Sequence, residues 1–200
     1  MMAESFHVTA IHPQLVDYVN GLQRKNAEAL SFYPRCVFER EMLKGRILLS
    51  ILNGEPCGYL YFGALNTNVK IHQVCIQYDV RRKLYGAWLI GELERMALAA
   101  NVSLITLRCG FDLEANHFWN ELGYQCIGVV DGGIRRQRKI NIWQKALTTL
   151  LMPPEIINPA EGKTDASLWH KHKNVGVVNQ FVRGKRMAQY AESLKQAQNK

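Results

Sequence analysis

Apolar positions in the first 45 residues recur mainly at helical spacing. Leu15, Val16, Val19 and Leu22 follow Pro13, a residue suited to a first helical turn, so this stretch is predicted to be amphipathic. The elements predicted here are a strand at 6–11, a helix from 13 to about 30, and a short helix at 38–44 that Gly45 ends.

A change to strand-like patterning begins at residue 46. The apolar runs 46–52 and 57–64 flank a turn sequence at 53–56, which predicts a β-hairpin. A third strand is predicted at 69–78, where Val69, Ile71, Val74 and Ile76 are the apolar positions. The alternation changes phase between Ile71 and Val74, which predicts a β-bulge in this strand.

Helices and strands alternate in the second half of the chain. Segment 85–100 is the strongest helix in the sequence, with Leu89, Leu93, Met96 and Ala97 on one face. The elements predicted after it are a strand at 103–109, a helix at 113–122, and strands at 124–130 and 139–143. Such alternation predicts a mixed sheet covered by helices.

The domain organisation follows from composition. Pro153, Pro154, Pro159 and Gly162 indicate a linker, so we expect one domain over 1–150. Residues 151–200 are expected to form this linker and a basic C-terminal extension, with a helix near 183–198. No apolar run approaches the roughly 20 residues of a membrane span. The N-terminus lacks the pattern of a signal peptide, so the expected location is the cytoplasm.

The five cysteines are widely spaced, and no CxxC or CxxH pair occurs among the 200 residues. We therefore expect the cysteines to be small buried apolar residues of a protein in a reducing compartment. We expect no metal site.

The formal net charge is +8, which favours acidic partners such as nucleic acid. Basic residues cluster at 81–83, 135–139, 169–173 and 183–186. Aromatic residues near some of these clusters would suit phosphate contacts and base stacking. The alternative is a solvated basic surface.

The junction between the third strand of the central sheet and the long helix is a candidate binding site. Arg81, Arg82 and Lys83 lie just before the predicted helix, and Gly86 lies in its first turn. A helix N-terminus offers unpaired backbone N–H groups and the positive end of a dipole, so a diphosphate could bind there. A solvated basic helix start is the alternative.

A second segment, 112–124, follows the buried strand at 103–109. Its helix directs Phe118, Trp119 and Leu122 inward and ends at Gly123-Tyr124. This arrangement can pack beside a cofactor, or it can simply form core.

Considered together, the two segments give residues 6–147 a resemblance to the GNAT superfamily of N-acyltransferases. In that family a strand leads into an Arg-x-x-Gly-x-Gly/Ala turn and helix that hold the CoA pyrophosphate. The matching residues here are Arg81-Arg82-Lys83-Leu84-Tyr85-Gly86. A later family pattern, Asn-x-x-Ala, an aromatic pair and Gly-Phe, is similar to Asp112, Ala115, Phe118-Trp119 and Gly123-Tyr124.

The resemblance implies an α/β (α+β) fold with a central mixed, mostly antiparallel sheet flanked by helices. It also implies transfer of an acyl group from acetyl-CoA, or another acyl-CoA, to an amine. The cofactor contacts implied are Val74, Ile76, Arg81, Arg82, Lys83, Leu84, Tyr85, Gly86, Ala87, Asn116 and Trp119. A backbone N–H near 74–76 would polarise the thioester carbonyl.

The same resemblance guides the choice of catalytic and acceptor residues. His72 is the first candidate for the base that accepts the amine proton, because a histidine pKa lies near neutrality. Asp112 and His117 follow. The candidate acceptor-binding residues are Phe32, Tyr33, Arg35, Tyr61, Arg108, Arg135 and Arg136. Arg108 either pairs with Asp112, reaches a phosphate, or points into water at the strand end.

Three positions depart from the family pattern. Leu84 replaces the first glycine, Trp119 stands where many members carry a tyrosine general acid, and Asp112 replaces the usual asparagine. Leu84 and Trp119 keep open the alternative of a catalytically silent domain that binds nucleic acid or acts in virion assembly.

Among enzymatic acceptors, a nucleic acid base is the first hypothesis. The compact core with a basic extension weakly resembles phage-encoded members such as the Mom-type DNA-modification branch, which would place the protein in a host cytoplasm. A small-molecule or protein amine is the alternative.

Overall fold

The computed structural model describes residues 4–133 and 138–147. Within these ranges the chain forms seven strands and four helices in the order predicted from the sequence. They are β1 (Glu4–Val8), α1 (Pro13–Lys25), α2 (Arg35–Leu43), β2 (Ile47–Leu52), β3 (Glu55–Phe62), β4 (Asn68–Ile76), α3 (Tyr85–Ala99), β5 (Leu104–Gly110), α4 (Ala115–Glu121), β6 (Gln125–Asp131) and β7 (Lys139–Ala146). The predicted extension 151–200 and the candidates Arg135 and Arg136 lie outside the described residues.

The strands form one sheet in the order β1-β2-β3-β4-β5-β7-β6. Every neighbouring pair is antiparallel except β4 and β5, which are parallel. The parallel ladder is short, because only 68–71 pair with 104–107 before the strands separate. The predicted mixed, mostly antiparallel sheet is confirmed.

Helices cover the two faces of the sheet. The apolar positions predicted for α1 are buried, and they pack with Phe38 and Met42 of α2 against Leu49 and Tyr59. On the opposite face Leu89 and Leu93 of α3 and Trp119 of α4 pack against the sheet. Burial of such side chains contributes roughly 1.5–3 kcal/mol each, which fixes both helix layers on the sheet.

The predicted hairpin between β2 and β3 is present. Asn53 and Gly54 have φ angles of 54° and 87°, the positive values that a two-residue hairpin turn of this twist requires. Asparagine and glycine tolerate them at low cost.

Several predicted boundaries were wrong: for example, α2 begins at Arg35 rather than at 38, and β7 ends at Ala146 rather than at 143. Helix α1 ends at Lys25 rather than near residue 30, and the side chain of Asn26 donates to the carbonyl of Leu22 (2.8 Å) just beyond that end. Strand β1 runs over 4–8 rather than 6–11, because its register with β2 ends where Val8 pairs with Ile47. Local patterning specifies such ends weakly, since pairing partners decide them.

Strand β4 carries the predicted bulge. Tyr61 of β3 pairs with Gln73, and the next residue, Phe62, pairs with Ile71, so His72 is the extra residue. His72 stacks on Tyr61, while Gln73 accepts a hydrogen bond from the hydroxyl of Tyr59 (2.8 Å). The bulge therefore presents two consecutive β4 side chains to the face covered by α1 and α2.

The five cysteines are unpaired. Cys57, Cys75 and Cys109 are buried, as expected, whereas Cys36 and Cys126 are exposed. No helix in the described ranges is long and apolar enough to cross a membrane. Those residues also contain no group of three or more side chains suited to holding a metal ion.

Candidate functional site

Separation of β4 from β5 opens a cleft of about 550 Å³ in the middle of the sheet. Its walls are residues 72–76 of β4, 107–109 of β5, the first turn of α3, and α4. Residues 29–31, between α1 and α2, line its other end. The cleft thus passes from the α3 side of the sheet to the α1 side, between two strands whose facing edges have no partner there.

The N-terminus of α3 is one wall of the cleft. The first intrahelical bond runs from the amide of Trp88 to the carbonyl of Leu84 (2.9 Å), so the amides of 85–87 have no partner within the helix. Tyr85, Gly86 and Ala87 line the cleft. These donors and the helix dipole suit a diphosphate group.

Two of the three predicted basic residues line this wall. Arg81 donates to the carbonyl of Ile76 (3.1 Å) and to Asn26 (2.6 Å), so it joins the end of β4 to the end of α1. Arg82 pairs with Glu114 at 2.7 Å, and both side chains are largely exposed. An exposed ion pair is worth about 0–1 kcal/mol, so an anionic ligand can displace Glu114 at little cost. Lys83 does not line the cleft.

Gly86 lies where α3 faces α4 across the cleft. A Cβ atom there would stand 3.4 Å from the ring of Phe118 and 3.6 Å from Ile76. A methyl group could be accommodated at ordinary contact distance, but a longer side chain would fill space inside the cleft.

Leu84 has an unusual backbone conformation. Its φ of 68° and ψ of 0° lie in the left-handed region, which costs a residue with a Cβ atom about 1–2 kcal/mol. Its side chain is half exposed, so packing repays little of that cost.

Leu84→Gly is therefore expected to raise the free energy of unfolding by as much as ~1 kcal/mol, although glycine also gains entropy in the unfolded chain. Leu84→Val should have the opposite effect, because β-branching makes positive φ more costly. Chemical denaturation of the two variants checks the signs. A more stable valine variant would contradict this explanation.

His72 lies at the acceptor end of the cleft between two tyrosines. Its ring stacks on Tyr61, with centroids 4.6 Å apart, and its Nδ1 lies 3.3 Å from the hydroxyl of Tyr33. Burial lowers the pKa of His72 below its ordinary 6.5, and the nearby Lys70 ammonium lowers the pKa further. The imidazole is therefore neutral at pH 7 and able to accept a proton.

His72 and Tyr33 are held in place by a network of buried amide side chains. This network was not predicted from the sequence. Gln73 donates to Gln23 (2.9 Å) and to the carbonyl of Ser31, and Gln23 exchanges two hydrogen bonds with the backbone of Tyr33. The segment 31–33 is thereby tied to the bulge of β4. Nothing in the hydrophobic pattern separates Gln23 and Gln73 from surface glutamines, so no sequence signal identified them.

The side chain of Asn116, which was predicted as a cofactor contact, makes its hydrogen bonds within the protein. Its amide nitrogen lies 2.7–3.1 Å from the carbonyls of Gly110, Phe111 and Leu113. Its oxygen accepts from Asn141 (2.9 Å) and Trp143 (3.0 Å). Asn116 therefore joins the first turn of α4 to the end of β5 and to β7, and it does not line the cleft.

The other predicted residues of this segment separate into two groups. Trp119 is buried and lines the cleft, where it packs edge-on against Phe118 and Tyr124, and the exposed His117 lines it as well. Asp112 does not line the cleft, because it pairs with Arg138 at 3.0 Å.

The structure separates the predicted acceptor residues too. Tyr33 and Tyr61 surround His72, and the exposed side chain of Arg108 lines the cleft. Arg35 pairs with Asp17 and Glu39 on the outside of the helices, and Phe32 is exposed away from the cleft lining.

The architecture has close counterparts among solved structures. Ard1 from Thermoplasma volcanium is similar with a TM-score of 0.64 and 12% identity, over 74% of this chain and 99% of that one. The ribosomal-protein-S18-alanine N-acetyltransferase of Escherichia coli gives 0.60 and 12%, over 74% and 95%. An aminoglycoside 6'-N-acetyltransferase complexed with coenzyme A gives 0.60 and 15%, over 74% and 98%.

The chain has the GNAT fold. No protein-family model matches it, and no curated protein sequence does. In the GNAT pattern the position of Leu84 is a glycine, and the left-handed backbone found there supplies the physical reason for that preference. Leucine at this position therefore keeps the shape of the turn, but at the conformational cost of a left-handed backbone.

Proposed function

We propose that this protein is an acyl-CoA-dependent N-acyltransferase that uses acetyl-CoA or another acyl-CoA as donor. The observation that carries the proposal is the cleft between the separated strands β4 and β5, which leads to the unpaired N-terminus of α3. The crystal structure of a GNAT-fold aminoglycoside acetyltransferase with coenzyme A supports the choice of donor.

The donor would be held by backbone groups more than by side chains. The amides of 85–87 would bind the pyrophosphate, and Arg82, once released from Glu114, would add a positive charge on the same wall. The pantetheine arm would lie along Val74 and Ile76, where the edge of β4 has no strand partner. An N–H on that edge would stabilise the oxyanion that forms when the thioester carbonyl is attacked.

The chemistry is direct transfer of the acyl group. A neutral amine attacks the thioester carbonyl, the C–N bond forms, and the C–S bond breaks to release the CoA thiolate. His72 accepts the proton that the nitrogen loses. The thiolate is protonated by the resulting imidazolium or by water, because Trp119 has no acidic hydroxyl to offer.

The acceptor stays a hypothesis. We propose a base of a nucleic acid, as in phage DNA modification, with a small-molecule or protein amine as the enzymatic alternative. Arg135, Arg136 and the extension, which favoured nucleic acid, lie outside the described residues. A catalytically silent binding module is the non-enzymatic alternative, and Trp119 in the cleft is the observation that favours it.

Thermal unfolding with and without acetyl-CoA tests the donor site. A ligand at 100 times its Kd stabilises the folded state by about 2.7 kcal/mol, so the Tm is expected to rise by roughly 5–10 °C. Gly86→Glu should abolish this rise, because the carboxylate would occupy the cleft and repel the phosphates.

Gly21→Glu is the matched control, since a Cβ at Gly21 meets nothing within 4 Å. It should keep the wild-type response to acetyl-CoA. An absent shift in the wild-type protein would remove acetyl-CoA as donor. An equal shift in Gly86→Glu would place acetyl-CoA somewhere else. Release of free thiol on addition of amines then separates an enzyme from a silent module.

A further inference from the structure

Arg108 is a cation that lines the cleft, and none of the described residues pairs with its charge. Its side chain is exposed, lines the cleft, and makes no hydrogen bond or ion pair with any residue in the described ranges. Its antiparallel neighbour on β7 is the apolar Ile142. The carboxylate that the sequence offered as a partner, Asp112, is engaged by Arg138 instead.

The strand register determines which end of the cleft Arg108 serves. Ile105, Leu107 and Cys109 of β5 are buried in the core beneath α3, so the alternating Arg108 belongs to the opposite face. Val69 and Ile71 of β4 are buried in that same core, which places Lys70 on the opposite face as well. His72 lies there too, beside Tyr61.

Lys70, His72 and Arg108 therefore share one face at the point where the strands separate. Lys70 pairs with Thr106 and Ile71 with Leu107, so His72 and Arg108 are the next residues along the two strands. The N-terminus of α3 lies on the other face. Arg108 thus faces the acceptor rather than the phosphates of the donor, and Lys70 lies on the same face beyond the cleft lining.

Among the described residues, each carboxylate that lines the cleft or acts on His72 is already paired. Glu114 is the single carboxylate among the described cleft-lining residues, and it pairs with Arg82. Glu41, whose charge reaches His72, is shared by Arg40, Lys44 and Arg46. A polycationic acceptor would meet repulsion here, and no unpaired carboxylate among the described cleft-lining residues would attract it.

We propose that Arg108, assisted by Lys70, is a binding subsite for an anionic group, a carboxylate or a phosphate, that the acceptor carries close to its amine. The inference rests on the proposed function, because it takes the amine to be the group acylated beside His72. A guanidinium suits either anion, since its N–H groups can bind two oxygens at once.

Calorimetric titration with charge-matched probes tests the subsite without requiring turnover. The probes are 4-aminobenzoate, 4-aminophenyl phosphate and the neutral 4-aminobenzamide, each added to the free full-length protein and to the protein saturated with CoA. The two anionic probes distinguish a carboxylate from a phosphate ligand. The variants are Arg108→Gln and the control Arg95→Gln, which removes the same charge from α3 at an ion pair with Glu92.

The wild-type protein and Arg95→Gln are expected to bind at least one anionic probe about 10-fold or more tightly than the neutral probe, with or without CoA. Arg108→Gln should bring the ratio close to one and leave CoA binding unchanged. Equal binding of all probes, including no binding of any, would overturn the subsite, as would a preference that survives in Arg108→Gln. Competition between CoA and the anionic probe would assign Arg108 to the donor and also overturn it.

Acetyl transfer to the same probes separates the two proposals. Transfer with no preference for anionic acceptors would refute the subsite and leave the enzyme standing. An Arg108-dependent preference in binding, with no transfer to any acceptor, would support the subsite and count against the proposed function.

Discussion

Replacing His72 by alanine is expected to lower kcat/KM for acyl transfer by about 100-fold to 10,000-fold, the usual contribution of a positioned general base. The imidazole stands at the acceptor end of the cleft, held by the ring of Tyr61 and the hydroxyl of Tyr33. Affinity for acetyl-CoA, measured by titration, should be unchanged, because the donor contacts lie on the other side of the sheet.

The pH dependence of kcat/KM should carry the signature of this residue. Burial and Lys70 lower the pKa of His72, so the active neutral form predominates at pH 7. The rate is expected to fall only as the pH drops through a value below 6.5, where the imidazole becomes protonated. In His72→Ala this acidic limb should disappear together with most of the rate.

His117→Ala is the matched control for His72→Ala. His117 also lines the cleft, but it is exposed on α4, and no aromatic ring in the described part of the chain stacks on it as Tyr61 stacks on His72. We expect its loss to change the rate by less than about 10-fold. A larger effect of His117→Ala, or an unchanged acidic limb in His72→Ala, would show that His72 is not the base.

The second large effect is expected from Asn116→Ala, on stability rather than on chemistry. The variant loses the hydrogen bonds to three carbonyls and leaves Asn141 and the buried indole N–H of Trp143 without their acceptor. Each unsatisfied buried group costs about 1–3 kcal/mol, so we expect a loss of roughly 3–5 kcal/mol. That is a large share of the 5–15 kcal/mol typical of a domain.

Chemical denaturation and a fall in Tm of roughly 10 °C would measure this loss. Asn120→Ala on the same helix is the control, since Asn120 is exposed and its substitution should matter by less than about 0.5 kcal/mol. An Asn116→Ala variant that melts like this control but fails to bind CoA would restore Asn116 to the cofactor site.

Local features of the fold were accessible from the sequence because neighbouring residues specify them. The turn at Asn53-Gly54 follows from two residues that tolerate positive φ, and the bulge at His72 follows from a phase change over four positions. The order of elements follows from changes in hydrophobic period. All three depend on short stretches of chain.

The residues whose contacts could not be predicted from the sequence have partners far along the chain. For Arg108 the sequence left open an ion pair with Asp112, a phosphate contact and exposure to water, because it does not reveal that Arg138 pairs with Asp112. Asn116 was predicted as a cofactor contact because the sequence does not reveal that Asn141 and Trp143 of β7 donate hydrogen bonds to it. Long-range contacts of this kind are decided by the register of the sheet, which periodicity leaves open.

The bulge in β4 makes chain length in this strand more important than the identity of one side chain. In a strand without a bulge, positions 72, 74 and 76 would share one face, whereas here His72 faces the acceptor while Val74 and Ile76 stay on the donor side. One residue inserted after Gln73 would turn Val74 and Ile76 to the opposite face, and deletion of His72 would remove the imidazole from the acceptor face. Among relatives of this protein, insertions and deletions should therefore be rare between positions 69 and 76.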